Sequence, residues 1–404
     1  MEMMKLKLMS ISIYKDILKT PQVEALLNLT EAKSPEALIR CYTELVHSIW
    51  SEGHQSLSEA IAWHLKYDRS FFGEAVALNQ ASQNMRDAAA MDIRRLSSVS
   101  MLSFSGLKRN LYQALVQKNQ DYGPIIQNMA EPLPGQGFTE EEIFESYRKN
   151  GCGKFALARA FRYEQGNVIP ISNHDPISKE DMIGYDYQRD MVVENTRTLA
   201  CGKLANNVLL YGDSGTGKSA TVKSLINMPE FYQLRLVEIA KNSMDQLTDL
   251  VRMLGKQPQK FIIYIDDLSF EREDKGFSAL KTALEGGLEH RPSNVAIYAT
   301  SNRRHMVRES FSDRQGDDVH TKETLEERTS LSQRFGLRLA YLSLDKTRYT
   351  DMVLTLCHKR NLDISDEEIR TEANRWEIQH GGRTPRVAVQ LVDKLAAEYG
   401  VRIS

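Results

Sequence analysis

The eight residues Gly212-Asp213-Ser214-Gly215-Thr216-Gly217-Lys218-Ser219 constrain this chain more than any other stretch. They match the spacing GxxxxGK[ST] in the context that gives it meaning, with the β-prone run Val208 to Tyr211 before them and the helix-forming run Ala220 to Asn227 after. Gly212, Gly215 and Gly217 let the backbone curl so that successive N–H groups face a polyphosphate. Lys218 is expected to reach the β- and γ-phosphates and the Ser219 hydroxyl to bind Mg²⁺, so residues 212–220, Ala220 included, form the candidate nucleotide-binding set. A second glycine-lysine stretch, Gly151-Cys152-Gly153-Lys154-Phe155, reads as a turn, because Arg148 occupies the first glycine position and Phe155 replaces the metal-binding hydroxyl.

Beyond the loop, further short β-rich runs recur at Leu234 to Ile239, Phe261 to Ile265, Val295 to Ala299 and Leu337 to Leu342, separated by helical stretches. Such runs imply a parallel sheet covered on both faces. From about residue 20 to 130, by contrast, apolar residues recur at helical spacing. Ser34 and Pro35 open one stripe (Leu38, Tyr42, Leu45, Val46, Ile49), Leu57, Ile61 and Leu65 begin another, and Glu74 to Leu96 and Leu107 to Gln120 are rich in helix formers. Thr139 with Glu142 makes a capping box, and a break from Gly166 to Pro176 marks the expected main boundary. After Leu344 the pattern is helical again, with Ser365 to Glu368 as a capping box, Gly381 and Gly382 at a helix end, and Thr384-Pro385 opening the last helix. The expected organisation is an all-helical domain over 1–165, an α/β nucleotide-binding domain over 177–344 and a small helical lid over 345–404.

At 404 residues, two or three packed units are expected. With 52 basic against 54 acidic residues, a net charge of −2 and 41% hydrophobic residues, the composition excludes a disordered chain and a globally basic nucleic-acid coat. Four widely spaced cysteines form no metal-ligand pattern and point to a reducing cytoplasm. No apolar leader and no run of about 18 apolar residues is found, so neither export nor a membrane span is expected. His47, His54 and His64 lack acidic or cysteine partners at useful spacing and are read as structural or exposed.

Further stations follow the loop. Asp266 and Asp267 end the run Phe261 to Ile265, where Asp266 suits a Mg²⁺ shell and Asp267 can orient or deprotonate an attacking water. Either could instead cap a following helix. Asn302, after Thr300-Ser301, can hydrogen-bond both γ-phosphate and water. Arg334 precedes the last β-rich run and can stabilise charge on the γ-phosphate of an adjacent subunit, whereas Arg386 can reach the phosphates of its own chain. Arg383 is read as a surface charge.

With these stations in this order, residues 177 to 404 resemble the AAA+ ATPase superfamily. Ile183-Gly184-Tyr185 looks like that superfamily's adenine-pocket segment. The resemblance implies adenine beside Ile183 and Tyr185, Asn302 as sensor 1, Arg334 as arginine finger and Arg386 as sensor 2. Asn206 to Asp213 and Asp266 to Glu271 are similar to a bacterial AAA+ family of predicted ATPases with a helical N-terminal region. Arg334-Phe335-Gly336 and Thr384-Pro385-Arg386 are also similar to branch-migration motors. Most active AAA+ enzymes carry Asp-Glu where this chain has Asp266-Asp267, which implies slow hydrolysis, with Glu271 a candidate helper one helical turn on. The long polar stretch Arg303 to Thr329 suits either a pore- or DNA-facing loop or a solvated helix and loop.

The expected protein is an ATP-binding, Mg²⁺-dependent ATPase that forms a ring or filament of its own copies. It would remodel an unknown macromolecule, with the N-terminal helices as a platform for a protein partner. Two alternatives stand beside this: an ATP-switched adaptor or loader that hydrolyses slowly or not at all, and a DNA-associated motor, against which the net charge and the lack of a DNA-reading module weigh.

Overall fold

The computed structural model of the chain describes residues 1–116, 120–172, 182–268, 275–285, 291–302 and 331–400. Its internal contacts divide it into two units, Met1–Leu157 and Ala158–Ser404.

The first unit is helical: α1 (Glu2–Met9), α2 (Pro21–Glu31), α3 (Pro35–Ser51), α4 (Leu57–Tyr67), α5 (Phe71–Ala77), α6 (Gln83–Ser100), α7 (Phe104–Val116), α8 (Tyr122–Gln127), α9 (Glu140–Asn150) and α10 (Lys154–Leu157). Side-chain oxygens of Ser34, Ser56, Ser70 and Ser82 accept backbone N–H groups at four helix starts, and Thr139 with Glu142 forms the expected capping box. The apolar stripes meet in one core around Tyr42, Leu45, Ile61, Phe72, Ile93 and Tyr147. The stretch Glu74 to Leu96 is broken rather than continuous, since Asn79 adopts a left-handed backbone and Ser82 caps a new helix. Helix α7 begins at Phe104, so Gly106 lies inside it. Gly151 and Gly153, both with positive φ, make Gly151 to Lys154 a turn. His64 departs from expectation: its ring nitrogens lie 2.9 Å from Asp68 and 3.2 Å from Glu52, partners supplied by the next helical turn and by packing.

The second unit carries β1 (Ala160–Glu164), β2 (Asn167–Pro170), α11 (Asp186–Ala200), β3 (Val208–Gly212), α12 (Lys218–Ser224), β4 (Leu234–Ile239), α13 (Leu247–Gly255), β5 (Lys260–Ile265), α14 (Lys275–Glu285), β6 (Val295–Ser301), β7 (Leu337–Tyr341), α15 (Lys346–Lys359), α16 (Asp366–His380) and α17 (Pro385–Tyr399). The seven strands form one sheet in the order β2-β1-β4-β5-β6-β3-β7, with every neighbouring pair parallel except β1 and β2. All seven residues of β6 are buried, as a strand covered on both faces requires. The fold is therefore a P-loop α/β sheet with a helical lid, in a chain that begins with an all-helical unit.

The hairpin β1–β2 corrects the expected all-helical span over 1–165. Arg162 is exposed between buried Phe161 and Tyr163, the alternation of a strand, and Gln165 and Gly166 both take positive φ in a two-residue turn. The glycine read as a domain break is a hairpin tip. The three lid helices close around Tyr349, Val353, Ile369, Ala373, Leu391 and Leu395, with Ile183 and Tyr185 packed against that cluster. Because β5, β6 and β3 are adjacent and parallel, with Leu209 and Ile265 both paired to Ala299, their C-terminal ends deliver Gly212, Asp266 and Asn302 to one edge.

Candidate active site

The loop after β3 is bent as its glycines allow. Gly212 has φ +135, and a Cβ there would stand 2.2 Å from the Tyr341 carbonyl oxygen; Gly215 and Gly217 also have positive φ. Lys218 is buried, its ammonium donating to the carbonyls of Asp213 at 2.6 Å and Gly212 at 3.3 Å. Burial pulls its pKa below the ordinary lysine value, against the carboxylates of Asp213, Asp267 and Asp266 and with Arg386 acting in the same direction as burial.

Ser219 Oγ donates to Asp266 Oδ1 at 2.8 Å, and Thr300 Oγ1 donates to the same oxygen at 2.6 Å. Burial raises the Asp266 pKa, but hydroxyls of Thr300, Tyr264 and Ser219, with the Lys223 charge, outweigh it and hold the carboxyl below its usual value. A hydroxyl and a carboxylate oxygen in contact are a hard donor pair of the kind Mg²⁺ takes, so these residues fit the ion. Asp267 has φ +49, and its backbone N–H donates to Thr300 Oγ1 at 3.0 Å while its Oδ1 accepts from Asn302 Nδ2 at 2.8 Å. The left-handed region tolerates aspartate better than glutamate, which gives a backbone reason for the short second carboxylate.

At the other end of the cleft, Gly184 and Tyr185 take positive φ in succession. The Tyr185 ring stacks on Tyr341 with centroids 4.9 Å apart, and its hydroxyl donates to the Leu342 carbonyl at 2.6 Å. Burial pushes both phenols up to about 12. The lid approaches the loop directly: the Arg386 backbone N–H donates to the Gly215 carbonyl at 3.2 Å, and a Cβ on Gly215 would lie 3.1 Å from Arg386 Cβ.

These groups line one cleft of about 680 Å³. Of the residues singled out in the sequence, Ile183, Tyr185, Ser214 to Ala220, Asp266, Asp267, Asn302 and Arg386 are on its wall. Gly212 and Asp213 are not among its lining residues, Asp213 accepting from the Ser343 N–H and hydroxyl. Arg334 is not on the wall of its own chain's cleft; it pairs with Glu285 at the end of α14. Arg383 makes a two-pronged pair with Glu377, at 2.8 and 2.9 Å. Glu271 and the stretch Arg303 to Thr329 lie outside the described residues.

Sequence reasoning gave no role to Thr300, Arg189, Tyr341, Met352, Leu356, Val389 or Gln390. Thr300 was within reach, since it ends a strand beside the Asp266 strand; the lid residues carry no sequence signal that sets them apart from their neighbours. Among the described residues no helix is long and apolar enough to cross a membrane.

Residues 156–399 match the model of a family described as protein of unknown function (DUF815). No curated protein matches. Among solved structures, the chain is similar to the Thermotoga maritima RuvB Holliday junction branch migration motor, at 15% identity over 54% of this chain and with a TM-score of 0.36, spanning 63% of that chain's length. An alanine-to-serine variant of that motor gives 16% identity over 57% of this chain and 69% of the other, with a TM-score of 0.37. A proline-to-glycine variant gives 15% identity over the same shares and a TM-score of 0.39. Since the family model spans more than half of the chain, the protein belongs to the DUF815 family.

Proposed function

We propose that this protein binds ATP in the cleft and hydrolyses it to ADP and phosphate, coupling the γ-phosphate to movement of a macromolecular partner. The observation that carries this reading is the convergence of Lys218, Ser219, Asp266, Asp267, Asn302 and Arg386 on one cleft wall. Ser219 and Asp266 would hold Mg²⁺, which when bound neutralises charge on the phosphate oxygens. Loop amides and the Lys218 ammonium cradle the polyphosphate. Asp267 orients a water for in-line attack and takes its proton, as the new P–O bond forms and the bond to the β-phosphate oxygen breaks. Asn302, within reach of Asp267, positions that water, and Arg386 stabilises the charge from the lid. Arg334, placed away from its own cleft, serves the γ-phosphate of a neighbouring copy, which makes assembly part of the activity. The helical first unit is the platform for a protein partner.

The test is steady-state ATP turnover per chain across protein concentration, for wild type, Asp267→Asn and Arg334→Ala. Turnover that rises with concentration and falls at least about 100-fold in Arg334→Ala supports a shared site, and a similar fall in Asp267→Asn supports Asp267 as the group that activates water. Turnover independent of concentration and untouched by Arg334→Ala rules the shared site out. A second reading, an ATP-switched adaptor, is favoured by one observation: the Asp267 carboxylate is engaged by Asn302. Tight ATP binding with near-zero turnover at every concentration would select it.

A further inference from the structure

We infer that Arg189 is a positioning residue that holds the base-binding wall of the nucleotide cleft; the inference rests on the reading of that cleft as an ATP site. Arg189 is the fourth residue of α11, and helical side chains lean toward the N-terminus, so its guanidinium folds back over the start of its own helix. There Nη1 donates to the Gly184 carbonyl and Nη2 to the Asp186 carboxylate. The side chain is 6% exposed, lines the cleft, and its Nε–H is buried without a protein hydrogen-bond partner. A cation in the first turn opposes the helix dipole, and Asp186 compensates it.

The arrangement explains why a buried charge is placed where an apolar residue would suffice. Gly184 and Tyr185 are two successive left-handed residues, a conformation that nothing in regular secondary structure supports. Tyr185 starts the helix without a side-chain cap, and the carbonyl just before it is held by Arg189 alone among the hydrogen bonds described. Fixing that carbonyl fixes the turn, and the turn aims Tyr185 onto Tyr341 and Ile183 toward the lid. A planar guanidinium can grip a carbonyl and a carboxylate at once, which a point charge cannot do as well. Arg189 thus acts on the base end of the ligand through Gly184 and Tyr185, and not on the phosphates, which belong to the loop after β3.

Calorimetric titration with MgATP and with inorganic tripolyphosphate separates the two ends, because tripolyphosphate occupies the phosphate loop without touching a base wall. Arg189→Met is expected to weaken ATP by about tenfold or more while leaving tripolyphosphate within about twofold, and Arg189→Lys to recover part of the loss. Equal weakening of both ligands, or ATP affinity unchanged in Arg189→Met, overturns the assignment while leaving the ATP reading intact. Wild-type protein that binds neither ligand overturns the ATP reading itself. Should Arg189→Met fail to fold, Arg189→Lys and Asp186→Asn carry the same comparison: a selective loss of ATP in either supports the inference, and no loss in both sinks it.

Discussion

The carboxylate of Asp213 accepts the backbone N–H and the hydroxyl of Ser343, at 2.8 and 2.7 Å, joining the phosphate loop to the segment that leads from the sheet into the lid. Hydrogen bonds to a charged acceptor are the stronger kind, though this pair is partly open to water. Asp213→Ala is expected to lower the unfolding free energy of the second unit by about 1–3 kcal/mol, and Asp213→Asn, which keeps an acceptor, by less. Denaturant titration followed by tyrosine fluorescence reads this; equal midpoints for wild type and Asp213→Ala would show that the junction contributes nothing.

Gly212→Ala should be among the most damaging single-methyl additions to the chain. The new Cβ would meet backbone of the adjacent strand, and φ +135 is costly for any L side chain. A loss of about 3 kcal/mol or more is expected. A melting temperature within experimental error of wild type would mean that β3 and β7 separate far more easily than their pairing suggests.

Thr300 connects the two aspartates through one hydroxyl, donating to Asp266 and accepting from the Asp267 N–H. Thr300→Val removes both of these bonds, leaving Asp266 Oδ1 to Ser219 and to the Asp267 N–H, and should cost about 1 kcal/mol, while Thr300→Ser stays close to wild type. The pH dependence has a definite sign. Asp266 is held below its ordinary value of 3.8, so its stabilising contribution is present above 3.8 and is lost as pH falls through the lower folded value. In Thr300→Val the folded value moves up toward 3.8, so the stability lost on acidification should be smaller; superimposable acid unfolding curves would count against the hydroxyl's role.

His64 behaves in the opposite sense. Burial disfavours its charged form, but Asp68 and Glu52 outweigh burial and raise its pKa above 6.5. The stabilisation is complete below 6.5 and is lost as pH rises through the folded value. The helical first unit should therefore be more stable at pH 6 than at pH 8, and His64→Gln should flatten that difference. A wild-type protein with the same stability at both values would contradict the ion pairs.

The five parallel strands β3 to β7 were legible because strands buried on both faces are written as continuous apolar runs, such as Phe261 to Ile265. Helix starts were legible where chemistry is local, at Thr139 with Glu142 and Ser365 with Glu368. The hairpin β1–β2 was missed because it is short and half exposed, and its turn glycine looks like a linker. Within the site, the loop was read from its spacing and Asp266 from its place at the end of the apolar run Phe261 to Ile265. The contacts of Asp213 with Ser343 and of Arg189 with Gly184 did not. A polar side chain in a loop carries no periodicity, so its partner appears only once the chain is folded.

Between the end of β7 at Tyr341 and the cap of α15 at Asp345 lie only three residues, and each has an assigned partner. Leu342 offers its carbonyl to Tyr185, Ser343 gives two hydrogens to Asp213, and the Leu344 N–H donates to the Arg383 carbonyl at 2.9 Å. A joint with so little slack does not drift. Any change in the angle between sheet and lid has to break the contact to Tyr185, to Asp213 or to Arg383.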